Sequence, residues 1–189
     1  MQTGSETIRT FIAVDLPSEI KDRMVDLTKE LKSDCIRAVG ADQMHITLFF
    51  LGYLNVAQIE KVKLLMSGMH FKKFGVGLEG IGTFTVKSPT VMFARISKGT
   101  EELIDIHDRM QEGLSVITRL DDKNFTPHVT IARLKRFDRS TVDEALGFAN
   151  RYKNIELGGF MCNEIKLKQS VLTGSGAAHS DLLAIGLGD

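Results

Sequence analysis

The sequence predicts an α+β protein built of two similar lobes, and three observations carry that expectation. Apolar positions switch repeatedly between the two-residue period of strands and the wider period of helices. The order helix, His-Thr strand, helix, strands recurs loosely in the two halves of the chain. No proline-rich linker or low-complexity tract divides it, so a single bilobal domain over residues 1–189 is expected. In each lobe, helices should pack on one face of an antiparallel sheet.

The elements follow in order. IRTFIAVDL (8 to 16) reads as a strand, and Pro17 closes it and can begin a helix. Ile20, Met24, Leu27 and Leu31 recur at helical spacing, giving an amphipathic helix. The strand MHITLFF (44 to 50) runs to Gly52, and Asn55 is placed to cap a second helix carrying Ile59, Val62, Leu65, Met66 and Met69. FGVGLEGIGTF (74 to 84) and TVMFARI (90 to 96) read as strands around a turn at Ser88-Pro89. Leu103, Ile106, Met110, Leu114 and Ile117 mark a third helix, followed by the strand in PHVTIA (127 to 132). Thr141 to Glu144 has capping-box spacing, which starts a fourth helix with Val142, Ala145, Leu146 and Ala149 inward. Two last strands, near 160 to 169 and 181 to 187, are separated by the loop LTGSGAAHS.

Composition narrows the function. A chain of 189 residues that is 43% hydrophobic and 25% charged can bury a core without staples. Lys plus Arg and Asp plus Glu both number 24, so the whole-protein field offers no general attraction to a polyanion. Cys35 and Cys162 form no metal-type pair and no CxxC, and read as reduced thiols. The polar start is unlike a signal peptide, and no apolar run reaches the length of a membrane span. A cytoplasmic protein without membrane contact is expected, and without a GxxxxGK[ST] loop ATP dependence has no support.

Two stretches share one grammar. His45 and Thr47 point to one side of their strand while Met44, Ile46 and Leu48 point to the other. His128 and Thr130 repeat this against Val129 and Ile131. A lone strand histidine is usually a hydrogen-bonded structural residue. Duplication in the same register asks for a shared explanation. A metal site usually draws three or more ligands, and no HxH, HxxxH or Cys/His cluster occurs. Concerted acid-base catalysis fits better, because imidazole titrates near neutrality and one ring can accept a proton while the other donates one. Cleavage of a phosphodiester by water needs that pair, with two hydroxyls on the non-bridging oxygens. No metal and no cofactor are expected.

HITL (45 to 48) and HVTI (128 to 131) resemble the paired HxTx motifs of the two-histidine phosphoesterases. With TFIAVDLP (10 to 17), DQMHITLFFLG (42 to 52), GIGTF (80 to 84), FTPHVTIAR (125 to 133) and KQSVLTGSG (168 to 176), the chain is similar to the RNA 2′,3′-cyclic phosphodiesterases, also called 2′-5′ RNA ligases. The resemblance implies a bilobal fold with the motifs facing each other across a cleft. It implies His45 as proton donor to the leaving 3′ oxygen, His128 as the base that activates water, and Thr47 and Thr130 as phosphate holders. The implied substrate is RNA with a cyclic phosphate terminus, tRNA fragments among the candidates, and the product a terminal 2′-phosphate. The reverse reaction would join ends through a 2′-5′ linkage. A monomer is expected.

Other residues stand beside that core. Arg133 is a phosphate-binding candidate, although strict alternation puts it in the phase of Ile131, away from His128. Phe49, in phase with His45 and Thr47, is a candidate for base stacking, against the plainer reading of packing. Arg133, Lys135, Arg136, Lys166 and Lys168 form either a basic rim for RNA or ordinary surface charge. The family usually has tryptophan where this chain reads Arg37-Ala38-Val39, and GPxY where it reads Gly176-Ala177-Ala178-His179. His179 is a candidate to border the cleft and contact RNA, against the plainer reading of a solvent-exposed loop histidine. Rival readings keep the site but change the substrate, to ADP-ribose cyclic phosphate or 2′-5′ oligoadenylate, or make the protein a non-catalytic binder of RNA ends.

Overall fold

The computed structural model describes residues 7–85, 89–120, 125–174 and 176–189. Ser88 and Ser175, expected in turns, and the polar residues 1–6 lie outside the described residues. The elements run β1 (Thr7–Asp15), α1 (Ser18–Thr28), β2 (Ile36–Ala38), a short 3-10 turn (Ala41–Gln43), β3 (His45–Asn55), α2 (Val56–Ser67), β4 (Phe74–Thr83) and β5 (Val91–Lys98). They continue with α3 (Thr100–Ile117), β6 (His128–Leu134), α4 (Arg139–Arg151), β7 (Glu156–Cys162), β8 (Glu164–Thr173) and β9 (Gly176–Gly186).

The strands form one antiparallel sheet in the order β7-β4-β5-β6-β3-β1-β8-β9, with β2 paired to β6. Its middle is thin: β3 and β6 share one register pair, Ile46 with Val129. That seam divides the sheet into a lobe of β7, β4, β5, β6 and β2 and a lobe of β3, β1, β8 and β9. Helices α1 and α4 pack on the lobe of β4, β6 and β7, and α2 and α3 on the lobe of β3. The α+β, two-lobed architecture is therefore as the sequence predicts. The lobes are not the two halves of the chain, however. The segment 156–173, broken only at Asn163, pairs first, as the outer strand of one lobe, with β4 and then with β1 of the other.

Local physics explains most boundaries. Asn55 caps α2 in a reciprocal capping box, its side chain accepting from Gln58 N while the Gln58 side chain accepts from Asn55 N. The fourth helix begins earlier than its Thr141 signal suggests, because Asp138 is the N-cap and accepts from Thr141 N at 3.0 Å. Glu144, the other end of that expected box, instead accepts from the backbone N–H groups of Lys32 and Ser33 beyond α1. Helix α1 stops at Thr28, before Leu31, which packs on the core from the following turn. The glycine-rich stretch expected as a loop after β8 is mostly paired strand, continuing β8–β9 out to Thr173 and Gly176.

The core lies between the sheet and the helices. Ile46, Leu48, Val129 and Ile131 from the two motif strands are essentially fully buried, with Met24, Met66, Met110 and Leu114 from helices. Each such side chain contributes about 1.5–3 kcal/mol by leaving water. This burial fixes the register, and with it the face to which the polar residues between them point. No described helix is long and apolar enough to cross a membrane.

Candidate active site

A cavity of about 630 Å³ lies on the sheet face opposite the apolar phase of β3 and β6. His45, Thr47, His128, Thr130 and Arg133 all line it, so the structure brings every expected site residue together. Extending the antiparallel register one residue to either side of Ile46–Val129 sets His45 beside Thr130 and Thr47 beside His128. The repeated grammar of the sequence is thus a local two-fold arrangement about a buried apolar pair.

Arg133 reaches the cleft by breaking strict alternation. Phe93 pairs with Thr130 while Met92 pairs with Ala132, leaving Ile131 as an extra residue in β6. Such a bulge shifts the phase of everything after it. The first motif does the same at Leu48, between Thr47 and Phe49 in their pairing with β1. Consequently His45–Phe50 and His128–Arg133 have the same order of half-buried, buried and exposed positions. The sixth residue of each motif returns to the cleft: Phe50 in one, Arg133 in the other.

This bears out the packing reading of Phe49 over base stacking. Its ring is fully buried and stacks on His107 of α3 at 4.4 Å, with Phe125 stacked on the other face of that imidazole at 4.3 Å. Phe50, 54% exposed, is the aromatic that the cleft presents. Of the five cations weighed for a basic rim, Arg133 lines the cleft, whereas two lysines are engaged elsewhere. Lys168 bonds Asp15 and Asp181, and Lys166 pairs with Asp15, Glu164 and Asp181, so neither is free surface charge. Burial pushes the Asp15 carboxyl up, but Lys168 and Lys166 more than offset it and hold it below its usual range.

The two catalytic candidates differ in their surroundings. His128 Nδ1 lies 2.8 Å from the Thr126 carbonyl, which can only accept, so Nδ1 carries the proton and Nε2 has the free lone pair. Burial lowers the affinity of this ring for a second proton, the Thr126 carbonyl opposes that, and Arg133 adds to it. His45 stacks on Phe11 at 4.8 Å and meets His179 edge-on at 5.3 Å. Burial, then the neighbouring His179, lowers its pKa to about 3 against the pull of Asp15. An anion seated between the rings would favour the imidazolium that burial disfavours.

For His179 the less favoured of the two readings is the one the structure bears out. The residue is paired to Ser170 within β9 and lines the cleft instead of standing in a solvent-exposed loop. Arg9 on β1 and Gln43, which donates to the Ala177 carbonyl at 3.1 Å, also line it and carried no motif signal.

The family model of the 2′-5′ RNA ligase superfamily matches residues 16–167. The chain belongs to that superfamily. Among curated members, the RNA 2′,3′-cyclic phosphodiesterase of Archaeoglobus fulgidus is 30% identical over 177 residues, 93% of this chain and 98% of that protein. The one from Aquifex aeolicus is 31% identical over 182 residues, 93% and 95% of the two chains. The fold of the superfamily is shared as well. The structure of E. coli LigT complexed with 3′-AMP superposes with a TM-score of 0.82 at 20% identity, covering 97% of this chain and 100% of that one. TT0787 of Thermus thermophilus gives 0.79 at 24% identity, covering 96% and 100%.

Proposed function

We propose that this protein hydrolyses RNA 2′,3′-cyclic phosphate ends to terminal 2′-phosphates without a metal ion. The supporting observation is the cleft itself, where two imidazoles and two hydroxyls from duplicated strands converge beside Arg133. The superfamily assignment and the relatives named RNA 2′,3′-cyclic phosphodiesterase point to the same substrate class.

In this reading the cyclic phosphate sits between the rings, with Thr47, Thr130 and Arg133 on its non-bridging oxygens. The lone pair on His128 Nε2 takes a proton from water as its oxygen attacks phosphorus. The bond from phosphorus to the 3′ oxygen breaks, and His45 gives that oxygen a proton. A 2′-phosphomonoester and a free 3′-hydroxyl remain. The phosphate anion supplies the field that lets His45 hold its proton until then. With a 5′-hydroxyl in place of water as the nucleophile, the same two proton transfers join that oxygen to phosphorus as the 3′ oxygen leaves, giving a 2′-5′ linkage. Among the described residues no three His, Cys, Asp or Glu side chains gather as a metal ligand set, which supports phosphate neutralisation by Arg133 and hydrogen bonds. The unpaired Cys35 and Cys162 suit the cytoplasm. The cellular RNA, tRNA fragments included, is any whose end carries the cyclic phosphate.

The test is incubation, in excess EDTA, with a short RNA ending in a 2′,3′-cyclic phosphate, followed by identification of the terminal monoester. A 2′-phosphate is expected, and His45→Ala or His128→Ala should each lower turnover by a factor on the order of 100 to 10,000. An unreacted end, a 3′-phosphate, or near-normal activity of either variant would refute the mechanism.

A further inference from the structure

The proposed reaction divides the cleft into two sides. In-line displacement puts the attacking water and the departing oxygen on opposite sides of phosphorus. With water on the His128 side, the 3′ oxygen and its ribose lie on the His45 side, away from β6. Beyond β3 in that direction the sheet continues with β1, β8 and β9. There a row of register partners crosses three strands: Arg9 opposite Ser170, and Ser170 opposite His179. All three residues line the cleft.

The protein itself does not use up this row. Among the described residues no carboxylate lies within ion-pair distance of Arg9. His179 Nδ1 is buried without a hydrogen-bond partner, while the ring is held edge-on against Phe11 at 4.8 Å and His45 at 5.3 Å. A buried lone pair is tolerated better than a buried unpaired N–H, which places the ring proton on Nε2. Burial disfavours a second proton, Lys168 and Arg9 add to that, and Asp42 and Asp15 oppose it. The result is a guanidinium, a hydroxyl and an imidazole N–H, a donor set suited to a phosphate and its ribose.

We propose that Arg9, Ser170 and His179 form a second subsite that holds the phosphodiester joining the terminal nucleotide to the one before it. Through it the protein selects the end of an RNA chain over a free nucleoside cyclic phosphate. The inference rests on the hydrolytic reading above, because that reading fixes which side the ribose occupies. Arg9 grips the phosphate, and the shorter side chains on β8 and β9 set its position.

Three substrates test it: adenosine 2′,3′-cyclic phosphate, the same compound bearing a 5′-phosphate, and a dinucleotide ending in a cyclic phosphate. For the unmodified protein, kcat/KM should be roughly tenfold or more higher for the second and third than for the first, the scale of one charge-assisted hydrogen bond. In Arg9→Ala that ratio should collapse toward one, with Arg9→Lys recovering part of it and His179→Phe reducing it less. A wild-type ratio near one, or a ratio that survives in Arg9→Ala, overturns the subsite and leaves hydrolysis standing. Turnover of none of the three overturns hydrolysis and subsite together.

Discussion

Burial and the adjoining His179 lower the pKa of His45 to about 3, whereas an unfolded histidine titrates near 6.5. Between those values the unfolded chain binds a proton that the folded chain refuses, so stability falls as pH drops through that window. From pH 7 to pH 5 the loss from His45 is about 2 kcal/mol at most, since the edge of the ring still meets solvent. His128, also lowered, acts in the same direction. His45→Phe should therefore flatten the pH dependence, and urea unfolding at pH 7.5 and pH 5 checks this. A variant that loses as much stability on acidification as the parent would disprove the assignment. In the proposed mechanism the same effect ties protonation of His45 to the negative charge of the bound phosphate.

At the scale of elements, the two motif strands were legible because their alternation is strong: His45, Thr47, His128 and Thr130 share a cleft since Ile46, Leu48, Val129 and Ile131 share a core. Arg133 was legible as a candidate but not by its strand phase, and Phe50 carried no signal, because a bulge depends on the partner strand and leaves no mark in its own sequence. The loop reading of His179 was favoured for a related reason. Small and polar residues in LTGSGAAHS signal a loop, yet a tight hairpin continues the β8–β9 ladder through most of them. Glycines carry readable demands only where geometry leaves no alternative. Gly80 in β4 has φ 78°, and a methyl group there would overlap the Lys153 carbonyl. Gly80→Ala should cost about 2 kcal/mol or more, seen as a lowered urea midpoint. A stability within about 0.5 kcal/mol of the parent would show that the turn relaxes freely.

For the molecule as a whole, balanced charge means that affinity for RNA must come from the cleft and not from a broad basic face. With Arg133 and Arg9 as the phosphate-binding cations, binding of a product RNA bearing a 2′-phosphate should depend weakly on salt. The slope of log K against log salt should be roughly −1 to −2, about 0.7 per phosphate neutralised on a single strand. Fluorescence anisotropy across a salt series measures it, and a slope of about −4 or steeper would require a charged surface outside the cleft. The single Ile46–Val129 pairing bears on how such a site keeps its dimensions. The imidazoles belong to separate lobes that meet along a narrow spine, like facing pages of one sheet. Their spacing is thus set by the angle at which the pages stand open, and a change in side-chain volume at the spine is felt as a change in catalytic gauge before it is felt as a loss of fold.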